Sequence, residues 1–200
     1  MTKIKFCGLS RLCDIEAANE LKPDYVGFVF AEKSKRYVDL QTAKNLKQNL
    51  NHEIKSVGVF VDEKIGNIIN IVNMNIIDLI QLHGNENELY IKQLRNFTDK
   101  IIIKAFKIKS QDDIYNAEKN IADYVLLDSG TGTGKIFDWN LISLSRPYFL
   151  AGGLNPENVS EAVKILKPFA VDVSSGIEGG KGFKDKNKMS EFISAVGKEN

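Results

Sequence analysis

Short apolar runs rich in β-branched and aromatic residues alternate along the chain with longer stretches whose apolar positions recur at helical spacing. The runs are KIKFCGL (3–9), YVGFVF (25–30), SVGVFV (56–61), LIQLHG (79–84), IIIKAFKI (101–108), YVLLDS (124–129), YFLAGGL (148–154) and AVDVSSGI (170–177). Amphipathic segments such as DIEAANELK and PENVSEAVKILK lie between them. Asn155-Pro156-Glu157 reads as an N-cap followed by a first-turn proline and an acid, and Asp138 as the cap of another helix. Strand and helix alternating eight times predict parallel strands joined by helical crossovers. The expected fold is α/β, a single (β/α)8 TIM barrel over residues 1–200, with short helices and lean loops; an open doubly wound sheet is the alternative.

Composition narrows the partners. The 27 Lys and Arg nearly cancel the 26 Asp and Glu, so no overall field favours nucleic acid or a membrane surface, and a small molecule is the expected partner. The amino terminus enters a strand-like run directly, and no apolar stretch is long enough to span a bilayer, which points to the cytoplasm. Two cysteines, Cys7 and Cys13, cannot build a disulfide framework, and two histidines, His52 and His83, cannot build a histidine-rich metal site. No metal is expected.

Side chains in a strand alternate faces, so polar residues of one parity mark a wet or reactive face. Lys5 and Cys7, Gln81 and His83, Leu126 and Asp128, and Asp172 and Ser174 each share a parity on a separate run. In a barrel of this kind these residues converge on the mouth at the carboxyl ends of the strands. Taken singly, each has a plainer reading: a strand cysteine is a small buried hydrophobe, a strand-end aspartate caps a turn, a lone histidine is hydrogen-bonded structure. Convergence of four strands shifts the balance towards a site. Cys13, at a helix start, is read as structural. The glycine clusters AGGL and SSGIEGG close the last two runs, where such barrels grip phosphate through backbone amides, so Gly153, Ser175 and Gly176 point to a phosphorylated substrate.

The stretch GTGTGK (130–135) suggests a nucleotide phosphate loop, yet its glycines are one residue too close and Ile136 stands where a magnesium-binding hydroxyl is needed. It reads better as a lid, with Gly132 and Gly134 as hinges and Lys135 as an anion contact.

KFCGLSR, GFVFAEKSKRYV, VGVFV, QLHGNE, KAF, GTGKIFDW, LAGGLNPENV and VDVSSGIE stand in an order and spacing that resemble the phosphoribosylanthranilate isomerase family, end to end. The resemblance implies a cofactor-free Amadori rearrangement of N-(5-phosphoribosyl)anthranilate, in tryptophan biosynthesis, by a monomer or homodimer. It implies that Cys7 is the general base, Asp128 the general acid and Arg36 the holder of the anthranilate carboxylate. His83 and Asp172 would line the site, where parity also places Gln81, and the glycines of AGGL and SSG would hold the phosphate. The alternatives are another sugar-phosphate isomerase barrel and a non-catalytic phosphosugar-binding barrel. Two departures stand out: Ser34-Lys35-Arg36 where Ser-Pro-Arg is common, and Gly179-Gly180-Lys181-Gly182 where a Pro-Gly pair is usual.

Overall fold

A computed structural model describes residues 1–128, 138–180 and 182–197. Eight parallel strands, β1 (Lys3–Cys7), β2 (Tyr25–Val29), β3 (Lys55–Phe60), β4 (Leu79–Leu82), β5 (Ile102–Lys107), β6 (Tyr124–Asp128), β7 (Tyr148–Leu150) and β8 (Ala170–Val173), pair in chain order, and β8 returns to β1 to close the barrel. Helices α1 (Leu12–Leu21), α2 (Leu40–Asn49), α3 (Ile65–Asn73), α4 (Glu88–Arg95), α5 (Gln111–Lys119), α6 (Val159–Leu166) and α7 (Lys186–Gly197) provide the crossovers and the closing helix. Each strand falls within or beside its apolar run, and all but β3 are shorter than it. His83 and Ser174 therefore stand one residue past the ends of β4 and β8.

The alternation predicted from the runs sorts two layers of core. Outward residues such as Ile4, Phe6, Val26, Phe28, Leu82 and Val171 pack beneath the helices. Inward residues Tyr25, Val57, Leu79, Ile103, Leu126, Phe149 and Ala170 fill the barrel. Tyr124 stacks on Phe169 with ring centroids 4.7 Å apart, and both contact Phe149, at 5.7 and 5.6 Å, so aromatic rings plug the amino-terminal end. Phe149 is fully buried, which stabilises the fold by about 2–3 kcal/mol. With that end filled, the inward-facing Cys7, Gln81 and Asp172 are left to line the opening at the carboxyl ends.

Three details differ from the sequence expectation. Among the described residues a 3₁₀ turn, Trp139–Leu141, takes the place of an α-helix between β6 and β7; Asp138 does cap it, accepting from Asn140 N at 3.0 Å. Helix α6 begins at Val159, after an N-cap at Asn158, and not at Pro156. Asn155 Oδ1 accepts from the amides of Glu157 and Asn158, while Asn158 Oδ1 accepts from Asn155 N, so a reciprocal turn uses the residues expected to be the first helical turn. Third, β9 (Glu178–Gly180) and β10 (Phe183–Lys184) form a small antiparallel hairpin between β8 and α7. No helix among the described residues is long and apolar enough to cross a membrane.

Candidate active site

A cavity of about 280 Å³ opens at the carboxyl ends of the strands. Cys7, Arg36, Gln81, His83, Asp128, Gly153, Asp172 and Ser175 line it, which joins in one place eight of the residues singled out in the sequence. Gly176 does not line it. A Cβ on Gly176 would stand 2.0 Å from the Leu154 carbonyl, so this glycine lets the loops after β7 and β8 touch. Gly132, Gly134 and Lys135 lie outside the described residues.

Cys7 ends β1, half-buried, beside Gly27 of β2 in the barrel register. Directly below, the fully buried Lys5 ammonium donates to Asp172 Oδ2 at 2.7 Å. Burial alone would depress the Lys5 ammonium, yet the Asp172 carboxylate, with Cys7 beside it, outweighs that and holds Lys5 above its ordinary value. Burial pushes the Cys7 thiol up and Asp172 adds to the shift, while the ammonium groups of Lys5 and Lys184 pull the other way without cancelling it. Asp172 Oδ1 is buried and has no hydrogen-bond partner among the described residues, so the cavity presents an acceptor suited to a ligand hydroxyl.

On the β4 and β6 side, His83 Nε2 stands 3.2 Å from Asp128 Oδ2. Gln81 Nε2 lies 2.9 Å from His83 Nδ1. With the amide donating, Nδ1 accepts and the ring proton sits on Nε2, directed at the Asp128 carboxyl group. Gln81 and Asp128 thus bracket the two ring nitrogens of His83.

Arg36 reaches the cavity from the loop after β2. Its Nε donates to Glu178 Oε1 at 2.6 Å, and the same oxygen accepts from Lys184 Nζ at 3.1 Å. Lys184, buried, also donates to the Ser174 carbonyl at 2.9 Å, and the Ser174 hydroxyl donates to the Cys7 carbonyl at 2.9 Å. Burial lowers the Lys184 ammonium below its usual value, with Glu178 offsetting part of the shift. Lys5, Glu178 and Lys184 were given no role from sequence. Lys5 carried a signal, its shared parity with Cys7. Glu178 and Lys184 carried none, because a three-residue and a two-residue strand are too short to show periodicity.

At the opposite rim, Gly152 and Gly153 adopt positive φ angles of 84° and 75°, and Asn158 Nδ2 donates to the Gly153 carbonyl at 2.9 Å. Backbone in this conformation, beside Ser175, suits an anion. Among the described residues no group of three or more His, Cys, Asp or Glu side chains is arranged to hold a metal ion.

Residues 4–195 match the family described as N-(5'phosphoribosyl)anthranilate (PRA) isomerase. The chain belongs to this family. A relative from Endomicrobium trichonymphae named N-(5'-phosphoribosyl)anthranilate isomerase is 49% identical over 199 residues, covering 96% of this chain and 97% of its own length. The phosphoribosyl anthranilate isomerase crystal structure from Thermus thermophilus superposes with a TM-score of 0.90 at 28% identity, covering 100% of both chains. A second phosphoribosyl anthranilate isomerase structure, in complex with reduced 1-(o-carboxyphenylamino)-1-deoxyribulose 5-phosphate, gives a TM-score of 0.86 at 33% identity over 99% of this chain and 100% of that one. The barrel of this isomerase family is therefore the barrel described above.

Proposed function

We propose that Cys7 and Asp128 divide the proton transfers of the family's reaction between them. That reaction is the Amadori rearrangement of N-(5'-phosphoribosyl)anthranilate to 1-(2-carboxyphenylamino)-1-deoxyribulose 5-phosphate, in tryptophan biosynthesis, and this chain, as a member, catalyses it. Asp128, oriented by His83, gives a proton to the ribose ring oxygen as the bond from C1 breaks and the anilino nitrogen forms an iminium. The iminium acidifies the C2 hydrogen, and the Cys7 thiolate removes it; the enolamine so formed becomes the ketone as Cys7 returns the proton to C1 and the C2 hydroxyl gives up its own, which restores the proton of Asp128. The developing cation beside Cys7 favours the thiolate at the step that needs it.

The remaining groups bind. Arg36 takes the anthranilate carboxylate through a charge-assisted contact, Asp172 Oδ1 accepts a sugar hydroxyl, and the loop ends at Gly153 and Ser175 hold the phosphate. Gln81 acts through His83. The protein works in the cytoplasm as one catalytic domain, monomeric or homodimeric, on a small molecule with no nucleic acid or membrane partner; its near-zero net charge supports that reading.

The observation that carries the assignment is that Cys7 and Asp128, from β1 and β6, line one cavity with Arg36. The test is loss of substrate fluorescence on adding the protein to phosphoribosylanthranilate with no metal or nucleotide. Cys7→Ala and Asp128→Asn should each lower kcat by about 10²-fold or more with KM moving far less. A folded parent protein that binds the substrate without turning it over would instead be a phosphosugar-binding barrel.

A further inference from the structure

The two places where the chain departs from its family's common pattern meet in the fold. A Cβ on Gly182, whose φ is +86°, would lie 2.9 Å from the Lys35 carbonyl, so the β9–β10 hairpin is seated on the turn that carries Arg36. Glu178 begins that hairpin. Its carboxylate is held by Arg36 Nε at 2.6 Å and Lys184 Nζ at 3.1 Å on Oε1, and by Gly182 N at 3.1 Å on Oε2.

We propose that Glu178 is a positioning residue that sets the Arg36 guanidinium for an aryl carboxylate. The proposal rests on the reading of Arg36 as the carboxylate holder. An arginine side chain at a loop has much rotamer freedom to lose on binding, and a partner fixed in advance removes that cost. Arg36 is fixed at two points. Its Cδ lies 2.4 Å from where a Cβ on Gly8 would be, so only glycine at that position, at φ +77°, lets the stem lie down. Its Nε is spent on Glu178, and both Nη groups have no hydrogen bond to the described residues while the residue faces the cavity. Those two nitrogens form the fork that pairs with a carboxylate. Two cations, Arg36 and Lys184, share the single Glu178 carboxylate, so the cluster keeps one positive charge for the substrate. With Glu178 fixed by three donors, the stiffness that a proline would give the turn comes from across the mouth.

Inhibition constants of anthranilate and inorganic phosphate, with steady-state KM and kcat, test this in Glu178→Ala, Glu178→Gln, Arg36→Ala and the Arg36→Ala/Glu178→Ala double variant, with melting temperature as a check on folding. In Glu178→Ala the anthranilate constant should weaken by about tenfold while the phosphate constant stays within about twofold, as expected from loss of one charge-assisted contact's geometry. Glu178→Gln keeps an acceptor for Arg36 Nε and should restore most of the affinity. In the Arg36→Ala background Glu178→Ala should cost no further anthranilate affinity. Tighter or unchanged anthranilate binding in Glu178→Ala overturns the proposal, because it makes the carboxylate a mere competitor for Arg36. Equal weakening of both ligands overturns it too, marking Glu178 as a general brace. If Arg36→Ala itself leaves anthranilate binding intact, the carboxylate-holder reading fails, separately from the Glu178 proposal.

Discussion

Cys7 and Gly27 are register partners across β1 and β2, and a Cβ built on Gly27 would stand 2.8 Å from the Cys7 sulfur. The glycine is the space in which the thiol sits. Gly27→Ala must displace the sulfur or the strand, since the added carbon also lies 3.2 Å from the Cys7 Cα. We expect kcat to fall by about 10-fold to 10²-fold, the cost of misplacing a catalytic atom by about an ångström, while KM changes little. Unchanged kcat in a folded Gly27→Ala protein would show that the thiol position is not critical.

Lys5 and Asp172 form an ion pair with the ammonium fully buried. Breaking such a pair by removing one partner leaves a buried charge, at a cost of about 3–5 kcal/mol. Lys5→Met should therefore lower unfolding stability in urea by that amount, and adding Asp172→Asn should recover part of it by removing the orphaned carboxylate. A second mutation that adds its own full cost would contradict the pairing.

The eight strands were legible because strands covered on both faces need near-continuous apolar runs, and these stand clear of the amphipathic segments in this chain. Parity was enough to bring Cys7, Gln81, His83, Asp128, Asp172 and Ser174 to one mouth, since a strand's alternation survives closure of the sheet. What parity cannot reach are groups delivered by irregular backbone. Glu178 and Lys184 enter on a glycine-rich hairpin, and their meeting with Arg36 joins residues 142 positions apart in one case. The start of α6 was misplaced for a related reason: Asn155 and Asn158 can each serve as a cap or as a turn, and the choice depends on each other's backbone amides. Gly176 carries a second task that sequence does not show: the Leu154 carbonyl above it leaves no room for a side chain, whatever its amide binds.

The rim at β7 and β8 leads to a third expectation. Gly153 holds φ 75°, a conformation that costs a residue with a side chain about 1–2 kcal/mol. Gly153→Ala should relax the loop away from that geometry, raise the inhibition constant for inorganic phosphate several-fold and leave that for anthranilate nearly unaltered. Equal effects on the two ligands would remove the phosphate assignment from this loop.

The last expectation concerns pH, where one group drives activity and stability in opposite directions. Burial, with Asp172 adding, raises the Cys7 thiol above its ordinary value, so in the free protein the thiol form persists past the reference of about 8.5. If the thiolate is the base, kcat/KM should climb with pH through that raised value, and this limb should vanish in Cys7→Ala. The stability effect has the reverse sign. In the unfolded chain the thiol ionises near its reference, while in the folded chain it holds its proton longer, so between the two values the native state binds more protons. The contribution is present in full below the unfolded value and is lost as pH rises through the folded one. Melting temperature should therefore decline over the alkaline range in which catalytic efficiency rises, and Cys7→Ala should flatten that part of the decline. A kcat/KM profile that levels off well below the ordinary thiol range would show that burial does not control the base.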